Sequence, residues 1–473
     1  MSLESDYQSA LDYLYSFVDY SLTRAFRYSP EKFDLGRMAR LMDIMGNPQD
    51  KYRNVHVTGT KGKGSTSVMI ASALQAAGYQ VGFYTSPHLQ DFSERIQVNQ
   101  RTIHHQVFCD LVEMIKKYAN QVAEVTTFEL STALAFQYFA ERKVDFAVIE
   151  VGLGCRLDAT NVIMPEVSVI TSISIDHVSV LGDSIQKIAK EKAGIIKPNR
   201  PVVVAPQNDE AKKVLTNAAE EQGAPLVQVG KQINYAPWAH SLERQSLLVW
   251  PEDDQSLVDE FIESGGRSLW EPIRLNIPLL GYHQVENAAT AYTALKVLES
   301  NGISIGDEAI KEGFASVFWP GRFEVLQKNP GLIVDSAHNR DSALKLRVAI
   351  DDYLPGQSIV LLFGASEDKD VDGMFQELMP RVKRVIATKS THPRAMEVDE
   401  IVKMAHKMGR PAVAIEEIET ALRHAMNQAG EGTSVVVTGS LFVVAAIREI
   451  WKKWGNPVRE FLVDDVMQAN EWK

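Results

Sequence analysis

The sequence predicts an α/β chain in which a mostly parallel, doubly wound sheet built around a phosphate-binding loop is followed by a smaller doubly wound unit. Three observations predict it. A β-branched run, Asn54 to Thr58, meets a glycine-rich turn, Gly59 to Gly64, and then a helical stretch from Ser65 through Ala77. Short apolar runs then alternate repeatedly with helical stretches, the pattern of a parallel sheet. The same rhythm resumes after Trp319-Pro320-Gly321 with no phosphate loop of its own, which places a domain boundary there and gives units of residues 1–319 and 320–473.

The glycine-rich turn, GTKGKGS, is suited to phosphate. Gly59, Gly62 and Gly64 let the backbone turn tightly and approach a ligand closely, while the following helix start offers unpaired N–H groups and a positive dipole end. Lys63 supplies a point charge, and Ser65 or Thr66 a hydroxyl for Mg²⁺. The turn departs from GxxxxGK[ST], since Ser65 stands where that pattern has lysine. A nucleoside triphosphate is the expected ligand.

Before the loop, Tyr7 to Tyr20 and Asp34 to Met45 read as amphipathic helices, the second ending near Gly46-Asn47-Pro48. After it, the strand Gln80 to Tyr84 leads into TSPHLQDFSERI, whose Ser86, His88 and Arg95 are candidates for the ligand-binding edge of the sheet. TTFELSTALAFQYFAERK is a helix with Phe128 and Glu129 in its first turn, where Glu129 could serve only as a favourable charge at a helix N-terminus. VDFAVIE is a buried strand ending in Glu150, a carboxylate well placed for Mg²⁺ beside a phosphate loop, and Arg156 and Asp158 follow. VSVITSISIDHVSVLG is expected to be a strand whose tip delivers Asp176 and His177. The next helix carries Lys187, Lys190 and Lys192, a pattern that is usually a solvated face. PVVVA is a further strand, residues 207–278 read as irregular with short strands and acidic loops around WPEDDQ, and GYHQVENAATAYTALKVLES is a helix with Gly281 and His283 at its start and Asn287 one turn in.

In the second unit, LIVD ends in Asp335 and leads into SAHNRDSALKL; QSIVLLFG leads into ASEDKD, RVIAT into KSTHPRA, and TSVVVTGS into the last helix. These strand ends present Asp335, His338, Lys369, His392, Arg394 and Ser440, enough polar groups for a carboxylate-bearing substrate and part of a nucleotide.

Composition narrows the function classes. With 473 residues, 45% hydrophobic and 23% charged, the chain can bury two sizeable cores. A formal charge of −12 argues against nucleic-acid binding, which gains affinity by neutralising phosphates. No apolar run is long enough for a membrane span, MSLESDY has no export pattern, and the two cysteines are too few for a disulfide framework. A cytoplasmic protein follows, and a monomer is the working expectation.

The motifs GTKGKGS, YTSPHL with ERI, TFE, EVGLGCRLDATN, SIDHVSVLG, EKAGIIKP, GYHQVENAATA, WPGRFEV, DSAHN, DKD and TGS stand in the order seen in folylpolyglutamate synthases and bacterial dihydrofolate synthases. This resemblance to a branch of the Mur ligase superfamily runs from about Gly46 to Ser440. It implies a P-loop ATPase domain and a Rossmann-like domain that binds the incoming amino acid. The implied activity is ATP-dependent addition of L-glutamate to dihydropteroate or to folyl glutamates through an acyl phosphate. It also implies that Thr60, Lys61, Gly62, Lys63, Gly64 and Ser65 cradle ATP phosphates, with Asn287 at adenine and Arg322, Asp335, His338 and Ser440 contributing from the linker and second domain. Catalytic roles fall on Lys63, His177 and Lys192. Ser65, Ser86, Glu150, His177 and Lys192 would surround Mg²⁺, two ions in all, with Lys192 carrying a carbamate. Thr126, Thr127, Phe128, Glu129, Asp158 and Ala159 match segments that bind pteroate, and Arg394 is assigned to substrate. Lys61, Cys155 and Ser336 depart from the family pattern, where Asn, Gly and Gly are usual.

Two other classes fit less well. A cell-wall Mur ligase would carry a further N-terminal domain of about a hundred residues, and a non-catalytic nucleotide-binding protein would not need the metal-site residues.

Overall fold

The computed structural model describes residues 3–18, 34–176 and 181–465. His177, a predicted catalytic and metal-binding residue, lies outside the described residues.

The glycine-rich loop follows the strand Arg53–Thr58, which lies near the middle of a nine-stranded sheet. On one side come Phe146–Glu150 and then Val81–Tyr84; on the other come Val167–Ile170, Val202–Val204 and Leu226–Gln228, all parallel. Ile96–Val98 and Arg101–Thr102 extend the sheet antiparallel beyond Val81–Tyr84. The central strands are buried on both faces because both are covered, and Asn54, His56 and Thr58 are buried polar groups among their apolar side chains. Val55 and Val57, with Phe146 and Val148, pack toward the helices Lys63–Ala76 and Tyr282–Ser300. Ala147 and Ile149 pack toward Leu3–Tyr15, Leu35–Met45, His105–Ala119 and Thr127–Glu141. The helix Lys63–Ala76 is buried from Ser65 through Leu74. A Cβ on Gly313 of the helix Asp307–Ser316 would stand 2.4 Å from the Ala73 Cα, so that glycine sets how closely the two helices approach.

Two expectations change. The short strands expected within 207–278 are joined into one element: Ile233–His240, Gln245–Pro251 and Ile273–Ile277 form a three-stranded antiparallel sheet. Leu247, Val249, Leu275 and Ile277 face the main core, while Leu248 and Trp250 hold the helix Gln255–Glu263 through Val258 and Phe261. Both faces of the strand Gln245–Pro251 are thus covered, which erases the polar–apolar alternation. Second, Val167–Ile170 stops well short of Asp176. Its continuation leaves the sheet because its backbone is used elsewhere: Ser172 O accepts Thr60 N at 2.9 Å, and Ser174 N donates to Thr60 Oγ1 at 3.1 Å.

A six-stranded sheet makes the second unit, in the order Glu324–Lys328, Gly331–Val334, Thr433–Thr438, Ser358–Phe363, Val382–Ala387 and Ala412–Ala414. All but its first strand are parallel. The chain then returns: Leu462–Val463 pairs with Arg101–Thr102 at the edge of the first sheet, and the buried Asp464 accepts Tyr138 Oη at 2.5 Å and Arg142 Nη2 at 3.0 Å. Among the described residues no helix is long and apolar enough to cross a membrane.

Candidate active site

The loop is shaped by positions that exclude a side chain. Gly62 caps the helix Lys63–Ala76 at φ +89°, and a Cβ there would stand 2.1 Å from Asn287 Oδ1; a Cβ on Gly59 would strike Thr171 Oγ1 at 1.8 Å. Thr171, which the sequence reading missed, braces the loop by donating its hydroxyl to Lys61 O at 2.7 Å, with Thr58 O at 3.1 Å. Gly64 lies under the Trp319 indole, where a Cβ would be 2.7 Å from the ring. Lys63 Nζ reaches back to Gly59 O at 3.3 Å.

Around this loop stand the strand-end groups. Glu150 pairs in register with Val57 and is buried, and it accepts the Thr85 hydroxyl. Burial raises its carboxyl above the usual range, while Lys63, Thr85 and Arg322 pull the other way. Lys192 is also buried, donating to Gly59 O at 2.8 Å. Burial brings its ammonium down to about 8, and Lys63 and Lys61 add repulsion. The lysine is therefore not on a solvated face; the helix Ile185–Lys192 turns its last residue inward, as Ile188 and Ala189 pack beneath. Thr58, Gly59, Lys63, Gly152, Asp176 and Lys192 border one cleft. A second, beside it, is bordered by Lys61, Gly62, His283, Glu286, Asn287 and Lys345, of which Glu286 and Lys345 were not foreseen. Ser65 starts the buried face of the loop helix, and Ser86 follows Thr85 at the end of Val81–Tyr84.

The second unit brings Arg322 and Asp335 to this edge. Asp335 is held by the N–H groups of Phe323 at 2.8 Å and Ala337 at 2.9 Å, and burial raises its carboxyl while Arg322 opposes. Arg322 thus faces both Asp335 and Glu150 across the two sheets. His338 Nδ1 lies 2.9 Å from Ser336 O, and burial with Lys61 nearby lowers its pKa to about 3, so it is neutral. Ser440 caps the helix Leu441–Lys453 by accepting Phe442 N. Arg394 stands apart with Asp368 at 3.9 Å, on the loops after Ser358–Phe363 and Val382–Ala387.

The pteroate-matching residues sit at the start of the helix Thr127–Glu141 and at the turn Asp158–Ala159. Thr126 and Glu129 make a reciprocal cap of the helix Thr127–Glu141, and Glu129 is also bound by Arg37 at 3.2 Å, both side chains being buried. Thr127 Oγ1 donates to Leu14 O at 2.8 Å. Asp158 accepts Thr160 N at 3.0 Å and Leu153 N at 2.9 Å, fixing the turn that begins at Ala159. Phe128 and Asp158 both reach the cleft border: the Phe128 ring would stand 2.4 Å from a Cβ on Gly152, and Asp158 holds Leu153 N.

Comparison with known proteins bears on this arrangement. The Mur ligase middle domain matches residues 57–295, and the Mur ligase glutamate ligase domain matches 321–441. The dihydrofolate synthase/folylpolyglutamate synthase of Bacillus subtilis is 34% identical over 92% of this chain and 99% of its own. The chain belongs to the dihydrofolate synthase/folylpolyglutamate synthase family. A Mycobacterium tuberculosis folylpolyglutamate synthase solved with ADP and AMPPCP superposes with a TM-score of 0.82 at 29% identity, covering 95% of this chain and 99% of that one. FolC of Escherichia coli, solved with DHPP and ADP, superposes with a TM-score of 0.79 at 28% identity over 95% and 98%.

Within the dihydrofolate synthase/folylpolyglutamate synthase family, the three departures of this chain have defined places. Lys61 forms an ion pair with Asp176 at 2.8 Å. The Cys155 thiol lies 2.6 Å from Thr58 Oγ1, fully buried, and burial pushes its pKa up to about 11. Ser336 is buried, with its hydroxyl unpartnered among the described residues.

Proposed function

We propose that the protein is an ATP-dependent ligase that joins L-glutamate to dihydropteroate, to folyl glutamates, or to both, through an acyl phosphate. The observation that carries this reading is the meeting of Lys63, Lys192 and Glu150 at the phosphate loop with Arg322 and Asp335 from the second unit. Amide formation in water is uphill, so the carboxylate must be activated. An oxygen of the pterin acid's carboxylate attacks the γ-phosphorus and ADP departs; the glutamate amine then attacks the acyl carbon and expels phosphate, losing a proton.

The residues suit these steps. Loop N–H groups and Lys63 would hold the phosphates, and preorganised cations act strongly in a site with little water. Asn287, against the loop at Gly62, would meet adenine, while His338, Ser440 and Arg394 would serve the glutamate side. Thr126 to Glu129 and Asp158 with Ala159 would shape the pterin wall, chiefly through Phe128, since Glu129 is committed to Arg37. The buried Glu150 carboxylate and the hydroxyls of Ser65 and Ser86 are hard oxygen donors that fit Mg²⁺, with His177 completing the set. Bound there, Mg²⁺ would neutralise phosphate oxygens. Lys192, whose pKa falls to about 8, has an accessible neutral amine that can add CO₂ and release a proton, giving a carboxylate-like carbamate.

We further assign the two units to residues 1–319 and 320–473, and a cytoplasmic monomer as the working form; Cys109 and Cys155, free and buried, fit a reducing compartment. The test is ATP turnover with dihydropteroate or tetrahydrofolate, with and without glutamate, and the mass of each product. ATP hydrolysis indifferent to both co-substrates overturns the ligase reading. Success with tetrahydrofolate alone leaves only the polyglutamate activity.

A further inference from the structure

Lys61 and Lys63 are two residues apart on the loop and have different surroundings. Lys63 faces Glu150, whereas Lys61 points its ammonium to Asp176 Oδ2, 2.8 Å away, with the two side chains only 15% and 13% exposed. The same carboxylate oxygen accepts Asn339 Nδ2 at 2.9 Å. Asn339 belongs to the second unit, where it caps the helix Arg340–Tyr353 through Ser342 N at 3.0 Å. Two residues on, Asp341 accepts Ser174 Oγ at 3.2 Å, and Ser174 is itself bonded to Thr60 of the loop. The backbone of Lys61 is tied to the same segment through Thr171 Oγ1. Loop, segment 171–176 and helix cap therefore form one polar junction between the units.

We propose that Lys61 is a positioning residue that couples filling of the phosphate loop to docking of the second unit, acting through Asp176 and Asn339. This deepens the ligase reading and rests on it. Lys61 is the ion-pair partner of this enclosed carboxylate, and Asn339 shares the same oxygen, so removing the lysine charge loosens the junction. Because Thr60 and Lys61 of the loop hold segment 171–176 against the helix cap, loop shape and docking are tied through the same contacts, and the coupling is reciprocal. Lys61 then acts on glutamate use more than on nucleotide affinity, for which Lys63 remains.

Two variants test this. Lys61→Met removes the charge, and Asn339→Ser removes the donor to Asp176 while keeping a good helix cap. Each is expected to raise KM for glutamate about tenfold and lower kcat, with ADP affinity within about threefold of wild type. The double variant should be no worse than the poorer single one, as for groups acting through one contact. Lys61→Arg should recover most of the loss. A direct phosphate contact predicts the reverse, weak ADP binding in Lys61→Met beside a normal Asn339→Ser, and that result, or strict additivity, overturns the proposal. Hydrogen exchange over residues 336–342, read without turnover, should quicken in both variants. Quickened exchange in a protein with no ligase activity would reject the ligase reading and keep the junction; unchanged exchange rejects the junction. If Lys61→Met does not fold, Asn339→Ser alone decides.

Discussion

The two sheets present the same kind of edge and furnish it differently. Against the phosphate loop of the first sheet the charges are buried: Lys192 and Glu150 are almost inaccessible, and Lys61 is paired out of solvent with Asp176. Along the second sheet they come as partly exposed pairs, Lys369 with Asp368 at 3.0 Å and Lys389 with Glu397 at 2.9 Å. Asp335 is the exception there, and it faces the first sheet. Desolvated charges keep their strength and cannot reorganise, which suits a phosphoryl group transferred at one fixed point. Screened pairs exchange partners cheaply, which suits an amino acid that must enter on every turnover.

The contrast breaks first at Lys63. Lys63→Ala should cost about 10³ in kcat, or about 4 kcal/mol of transition-state stabilisation, with an unchanged circular dichroism spectrum; wild-type turnover would remove the phosphate assignment. On the stability side, Arg37→Met leaves Glu129 buried without its guanidinium and should lower unfolding free energy by about 3 kcal/mol, read by urea denaturation. A loss of pterin affinity at unchanged stability would instead place Glu129 among the substrate contacts.

Next in size is Lys192→Ala, expected to lose about 10² in kcat and to recover partly when acetate or formate fills the space of the carbamate. Full activity of that variant, with no response to added carboxylate, would reject the adduct. A pH measurement sharpens the picture of burial. His56, fully buried and 2.9 Å from Thr160 Oγ1, has its pKa lowered to about 3 by burial. Between pH 6.5 and 3 the unfolded chain takes up a proton that the folded one refuses, so this group makes stability fall as pH falls through that window. His56→Gln should flatten the decline; equal acid slopes for the two proteins would refute it. The smallest effect is expected at Lys389, where Lys389→Met should leave the thermal midpoint unchanged within error.

Much of this was legible in the sequence for a local reason. A strand apolar on both faces, a glycine turn and a capped helix each declare themselves within about ten residues, so the loop, the Glu150 strand end and the Asp335 strand end could be located before any coordinates. Val167–Ile170 was placed but drawn too long, because TSIS reads as extended whether it pairs in a sheet or braces a loop. At 233–277 short strands were legible but their pairing into a sheet was not, because burial on both faces of the central strand removes the periodicity that marks a half-buried one.

What the sequence by itself determined is the set of chemical parts and the elements that carry them. The tertiary structure decided which parts meet. Arg37 and Glu129 are 92 residues apart, and Asp176 and Asn339 are 163 apart; no periodicity spans such distances. Likewise the inward turn of Lys192, the facing of Arg322 toward both carboxylates, and the return of Leu462–Val463 to the first sheet depend on how finished layers pack. A side chain's type is written at its own position, but its desolvation and its partners are properties of the surface folded over it.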